Sequence, residues 1–254
     1  MPKTVTVRDL TIGEGIPKIC VPMVAETAAQ LKEEANLLKD IDLDLVEWRV
    51  DFFEYVEDTE KVKEALIDIR SILPNTPILF TFRSHKEGGN KEISTSFYFE
   101  LNKIIVETGL VDIIDVELFN DEKSVKDLIS KAHAKNVLVI ISNHDFHKTP
   151  SKEEIISRLR KAQELGGDLP KIAVMPNCTA DVLTLLDATN TMKEQYANRP
   201  FITMSMAGKG VISRLAGEVF GSALTFGAVK KASAPGQVGV KELRSVLNLL
   251  HESL

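Results

Sequence analysis

Short apolar runs separated by polar stretches of helical spacing recur from one end of this chain to the other, and no other feature constrains its fold as tightly. The candidate strands are residues 18–23, 43–50, 77–83, 111–117, 137–142, 171–175, 201–205 and 222–226. They are continuous apolar runs rather than strict alternations, as parallel strands covered on both faces should be. Between them, residues 27–38 place Ala28, Leu31, Ala35 and Leu38 on one helical face. Residues 94–107, 123–134, 151–165 and 180–196 follow the same period. Ser151 with Glu154 three positions later reads as a helix start. About eight such units closing on themselves predict an α/β fold, a (β/α)₈ TIM barrel, as a single domain over residues 1–254. Thr4 to Val7, followed by Gly13 and Gly15, predicts a short N-terminal β-hairpin closing the bottom of the barrel. No Gly-x-Gly-x-x-Gly follows the first run, which removes the main reason to choose an open dinucleotide-binding sheet.

Composition narrows the class of partner. With 254 residues, 44% of them hydrophobic, there is material for one large core. A formal net charge of −6 argues against a nucleic-acid surface, which needs a basic stripe. Cys20 and Cys178 lie far apart with no CxxC spacing, so neither a disulfide framework nor a zinc site is expected, and a reducing cytoplasmic location fits best. No stretch approaches the roughly 20 apolar residues of a membrane span. The N-terminus lacks the apolar core of a signal peptide. The expectation is a cytoplasmic protein acting on a small molecule, with no nucleic-acid or membrane partner.

A barrel of this kind places its chemistry at the C-terminal ends of the strands. There the sequence puts Glu47, Arg49 and Asp51 at alternate positions, which predicts one shared face. Two uses stand open for them: a structural ion network, or carboxylate binding by Arg49. Arg83 ends the third run, and Glu87 follows on a loop with Gly88 and Gly89, either as a solvated loop charge or close enough to orient a histidine. Glu117 ends the fourth run, where it could pair with Lys171 or Arg83. His144 is the best base in the chain because imidazole titrates near neutrality. Its neighbour His147 hints at a metal, but no third ligand stands out, and none is expected. Lys171 lies in Pro-Lys-Ile-Ala-Val-Met-Pro, where it either snorkels to the rim from a strand start or is buried. Burial would favour the uncharged amine, the form that attacks a carbonyl. Later, Gly208-Lys209-Gly210 lacks the spacing of a phosphate loop, and Ser213-Arg214 offers an anion site. Ser233 and Gln237, around a Pro-Gly turn, could supply hydrogen bonds to hydroxyl groups from a loop folding over a ligand.

Together these strings resemble the type I 3-dehydroquinate dehydratase family. The pieces are Glu47-Trp48-Arg49-Val50-Asp51, Phe82-Arg83 with Glu87-Gly88-Gly89, Ser142-Asn143-His144-Asp145-Phe146, Lys171-Ile172-Ala173-Val174-Met175, Ser205-Met206 through Ser213-Arg214, and Ser233-Ala234-Pro235-Gly236-Gln237. They occur in order and span nearly the whole chain, and the set is far more specific than any member. The resemblance implies a homodimeric barrel without metal or organic cofactor, dehydrating 3-dehydroquinate to 3-dehydroshikimate in aromatic amino acid biosynthesis. It implies an imine-forming Lys171, a proton-shuttling His144 and a Glu87 that partners it. Glu47, Arg49, Arg83, Arg214, Ser233 and Gln237 match the substrate-binding set. A class I aldolase on the same fold and a barrel that binds the ligand without turning it over remain the alternatives.

Overall fold

The chain begins with a hairpin, β1 (Val5–Val7) paired antiparallel with β2 (Leu10–Ile12), its turn carried by Arg8 at a φ of 51°. Val7 and Ile12 are buried in one apolar cluster with Cys20, Leu45, Leu79, Ile113, Ile140, Leu169, Ile202 and Leu224. The hairpin therefore plugs the N-terminal end of a barrel, as expected. Arg8 Nε fastens it there by pairing with Asp112 Oδ1 at 2.6 Å.

This computed structural model describes residues 4–229 and 235–254. The wall is made by β3 (Lys18–Met23), β4 (Leu45–Arg49), β5 (Ile78–Thr81), β6 (Ile113–Glu117), β7 (Leu138–Asp145), β8 (Leu169–Val174), β9 (Ile202–Ser205) and β10 (Leu224–Ala228). A short strand, β11 (Val238–Gly239), pairs parallel with the end of β10. Pairing is parallel throughout, in the order β11-β10-β3-β4-β5-β6-β7-β8-β9. Among the described residues, the ring closes between β9 and β10 through a single bridge, Phe201–Ser222. There the Ala223 N–H donates to Phe201 O at 2.9 Å. The Ser222 hydroxyl accepts from Thr203 N–H at 3.0 Å and donates to Thr203 O at 3.2 Å, doing with a side chain what a ladder does with backbone.

Around the wall pack α1 (Ala28–Leu38), α2 (Thr59–Ile72), α3 (Thr95–Glu107), α4 (Glu122–Ala134), α5 (Lys152–Glu164), α6 (Thr179–Thr191), the short α7 (Val211–Leu215) and α8 (Gly217–Phe220), and α9 (Val240–His251). Helix starts follow local chemistry. Thr27 and Gln30 form a capping box on α1, and Ser151 accepts from Glu154 N–H on α5, as its sequence suggests. The residues expected to continue one helix to 196 instead form a π-helical turn over Met192–Tyr196. Outward-facing Val46, Trp48, Ile78, Phe80, Ile114 and Val116 meet the helices in the largest apolar cluster, while their alternates point inward. Because the side-chain period is two, the inner face of each strand can change character independently of its outer face.

Candidate active site

Near the hairpin the inner face is apolar: Leu45, Leu79, Ile113, Ile140 and Leu169. Two residues further along each strand the same face carries Glu47, Thr81, Asp115, Ser142 and Lys171, all buried. One more step brings Arg49, Arg83, Glu117 and His144 to the C-terminal rim. The polar substitutions thus form a layer rather than isolated charges, and each must find its partner across strands.

Lys171 is 5% exposed and is the third residue of β8, not its first. The strand begins at Leu169 and runs through Pro170, so the snorkelling lysine at a strand start is ruled out. Its Nζ lies 3.7 Å from Asp115 Oδ2 and 4.4 Å from the centre of the Phe226 ring. Asp115 is fully buried. Burial works against its charge, but Arg83, Lys171 and a hydrogen bond from Ser142 hold its carboxyl below the ordinary value.

Arg83 is enclosed by acids. Its Nη2 meets Asp115 Oδ1 at 2.7 Å, and its Nη1 meets Glu117 Oε1 and Ser142 Oγ at 2.9 Å each and Glu87 Oε2 at 3.4 Å. Burial opposes its charge, yet Asp115, Glu117 and Glu87 hold its pKa well above the ordinary value. Of the two pairings open to Glu117, the structure takes Arg83, and Asp115 is the carboxylate beside Lys171.

Glu87 is not a solvated loop charge. It lies at the end of a 3₁₀ turn, His85–Glu87, and is buried. Gly88, at a φ of 84°, and Gly89 make this possible. A Cβ on Gly89 would stand 1.8 Å from the Arg83 carbonyl oxygen, so the loop folds back onto β5 only with glycine there. Glu87 Oε2 accepts from the His144 backbone N–H at 2.9 Å and lies 3.0 Å from His144 Nδ1, leaving Nε2 for the pocket. Burial, reinforced by Glu117 and Asp115 against the pull of Arg83 and Asn143, pushes the Glu87 carboxyl up to about 8. Burial first, then Arg83, Lys171 and Arg49, hold His144 well below its ordinary value. His144 is therefore a neutral imidazole at neutral pH, and its Nε2 can accept a proton when Glu87 is ionised.

The remaining positions differ in how free they are. Glu47 accepts from the Thr81 hydroxyl at 2.9 Å. Arg49 forms a two-pronged pair with Asp51, at 2.7 and 2.8 Å; Asp51 has left the strand for a 3₁₀ turn and does not continue its face. Arg214 on α7 is 1% exposed, donates to Pro235 O at 3.2 Å, and meets no carboxylate among the described residues. Its Nε has no hydrogen-bond partner among those residues, and burial pulls its pKa down to about 10. Such a cation lacks an anion. Glu47, Arg49, Arg83, Glu87, His144, Lys171, Arg214 and Gln237 line one pocket. Ser233 lies outside the described residues. Phe226, Met204 and Met206 also line the pocket, and sequence reasoning missed them along with Asp115. A period-two reading extended through β9 and β10 would have found Met204 and Phe226.

Fold and pocket together define a barrel enzyme with an amine, a neutral imidazole and a guanidinium that meets no carboxylate among the described residues, gathered at the C-terminal ends of its strands. Residues 19–254 match the model of the family described as type I 3-dehydroquinase. The 3-dehydroquinate dehydratase of Bacillus licheniformis is 65% identical over 254 residues, covering 100% of both chains. A crystal structure of type I 3-dehydroquinate dehydratase from Clostridium difficile, solved with covalent modified comenic acid, is 60% identical, covers 100% of this chain and 99% of its own, and superposes with a TM-score of 0.97. The 3-dehydroquinate dehydratase of Geobacillus kaustophilus is 38% identical, covering 99% of this chain and 97% of its own, with a TM-score of 0.96. The chain belongs to the type I 3-dehydroquinase family, and thereby to the hydro-lyases.

Proposed function

We propose that this chain, acting as one barrel domain over residues 1–254, dehydrates 3-dehydroquinate to 3-dehydroshikimate through an imine on Lys171. The observation that carries the reading is the convergence of Lys171, the Glu87–His144 pair and the anion-seeking Arg214 on a single pocket. Arg214 binds the substrate carboxylate, while Gln237 and Ser233 hold ring hydroxyls, with Glu47, Arg49 and Arg83 completing the binding set. Having given up a proton, the amine of Lys171 attacks the ring ketone, and the carbinolamine takes up a proton and loses water to leave a protonated imine. That cation draws electrons from the neighbouring carbon, so its C–H becomes acidic. His144 Nε2, with Nδ1 held by Glu87, takes this proton and gives an enamine. The enamine electrons expel the hydroxyl β to the original carbonyl as His144 returns the proton to the departing oxygen. Water then hydrolyses the imine, releasing the conjugated product and freeing Lys171. The covalent modified comenic acid of the Clostridium difficile structure accords with this chemistry. The homodimer, the cytoplasmic location, the place in aromatic amino acid biosynthesis and the absence of any cofactor requirement belong to the same reading.

Borohydride added with dehydroquinate should leave a stable mass on Lys171, and Lys171→Ala should fold but lose turnover. An adduct on Lys209 or Lys241 instead would refute the assignment. His144→Ala should still trap the imine while failing to release the conjugated enone, followed by absorbance. Cleavage of a carbon–carbon bond would point to an aldolase, and binding without any turnover to a sensor.

A further inference from the structure

Asn143 lies between His144 and Ser142 on β7 and so faces away from the pocket, yet it reaches the same carboxylate as His144. Its Nδ2 donates to Glu87 Oε1 at 3.1 Å. On the other side its Oδ1 accepts from Arg158 Nη1, on α5, at 2.8 Å. Arg158 is itself held by Glu154 Oε1 at 2.7 Å, stands 3.8 Å from Asp145 Oδ2, and lies over the Phe119 ring at 5.3 Å. A guanidinium can only donate, so it fixes which end of the amide faces it. The amide must then present its NH₂ to Glu87, and Oε1 can only accept. We infer that Arg158, through Asn143, is a positioning residue that holds an N–H donor on Glu87 Oε1, favours the ionised carboxylate over a carboxyl whose hydroxyl at Oε2 faces Nδ1, and so selects the His144 tautomer in which Nδ1 carries the hydrogen and Nε2 is open.

The consequence follows from proton counting and rests on the reading of His144 as base. With Glu87 ionised, His144 donates from Nδ1, and Nε2 has a lone pair for the substrate proton. With one proton added to Glu87, its hydroxyl donates to Nδ1, the imidazole hydrogen moves to Nε2, and the base is lost. Other charges act on both members of the pair: Arg83 favours the ionised carboxylate while Glu117 and Asp115 oppose it, Arg83, Lys171 and Arg49 disfavour a charged His144, and His85 and Lys86 stand on the same turn as Glu87. None of these acts on Oε1 by hydrogen bonding. If Arg158 is removed, the Asn143 amide is free to turn, which withdraws the donor from Oε1 and favours the protonated carboxyl, with its hydroxyl at Oε2 against Nδ1.

The test is the pH profile of kcat/KM for wild type, Arg158→Met, Arg158→Lys and Asn143→Asp. Arg158→Met, which keeps the stem over Phe119, should move the acid limb upward by about one pH unit, so that activity is about tenfold below wild type at pH 7 and rejoins it at high pH. Arg158→Lys, which keeps a donor and a charge, should restore the wild-type limb. Asn143→Asp places a carboxylate against Oε1 and should shift the limb further. Borohydride trapping at Lys171 should be unchanged in all three. A profile for Arg158→Met that superimposes on wild type, or falls equally at every pH, overturns the inference; so does an unshifted limb in Asn143→Asp. His144→Ala run alongside separates the two levels: full turnover by that variant sinks the base assignment itself, whereas a dead His144→Ala with unshifted Arg158→Met sinks only the positioning role.

Discussion

Replacing Glu87 with glutamine should make the protein more stable at alkaline pH while disabling its chemistry. The carboxyl has been raised from an ordinary 4.5 to about 8 by burial, with Glu117 and Asp115 adding to it and Arg83 and Asn143 pulling against. A carboxyl whose folded-state pKa is raised favours the fold when protonated. Its contribution is complete below about pH 4.5 and is lost as pH rises through 8. At about 1.36 kcal/mol per unit, wild type should lose about 4 kcal/mol from this group between pH 5 and pH 9. Glutamine cannot ionise and should lose none of it. At pH 5 the variant should be the weaker by about 1–2 kcal/mol, because its NH₂ must face either the His144 N–H and Arg83 or the Asn143 NH₂. The two stabilities therefore cross, and the variant should lead at pH 9 by about 2–3 kcal/mol. Urea unfolding at both pH values reads this directly; with a slope of about 3 kcal/mol per molar, the difference in midpoints should change by more than ~1 M. Contributions from titrating groups remote from Glu87 cancel in the comparison. Parallel pH dependences for the two proteins would show that the buried carboxylate carries no such strain.

Three further outcomes follow from the geometry. Arg214→Ala, which removes the one pocket cation without a carboxylate among the described residues, should raise KM for dehydroquinate by about 30-fold or more, the equivalent of about 2 kcal/mol, and steady-state kinetics showing an unchanged KM would count against a carboxylate at that nitrogen. Gly89→Ala forces a Cβ against the Arg83 carbonyl and should lower both kcat and Tm; a variant with wild-type melting and rate would mean the loop has room that the structure denies. Trp48, fully buried with its ring edge-on to Phe53 and Phe80, should cost about 3–5 kcal/mol as alanine, yet little as phenylalanine, because its Nε1 has no hydrogen-bond partner among the described residues. Equal losses for the two variants in chemical denaturation would contradict that account.

Wall strands were legible because their outer faces are apolar whatever the inner face does. Their ends were less so. β7 runs on to Asp145 although the apolar run stops at Ser142, since Asn143 and His144 are satisfied by Glu87, a residue far away in sequence. β8 starts before Lys171, at Leu169, because Pro170 reads as a boundary but sits within the strand. α2 escaped notice: six charged residues between Glu60 and Arg70 hide the buried stripe of Val62, Ala65, Leu66 and Ile69. At the site, residue types suited to bond making were visible, but their pairings were not. Arg83 reads as a ligand-binding guanidinium, yet Asp115, Glu117 and Glu87 surround it. Asp115 stands out as a charge within an apolar run, but its role does not, as that comes from what β5, β7 and β8 bring to it.

The barrel wall is uneven in a way that bears on how it moves. Between β7 and β8 six residue pairs are in register, whereas β9 and β10 are clasped at Phe201–Ser222, chiefly by one serine hydroxyl. Springing that clasp breaks few bonds, so amides of Thr203 and Ala223 should exchange with solvent ahead of those in β7 and β8. Arg214 sits on the stretch of chain joining these two staves, which lets the pocket's anion grip flex against the lysine side of the ring without unzipping a sheet.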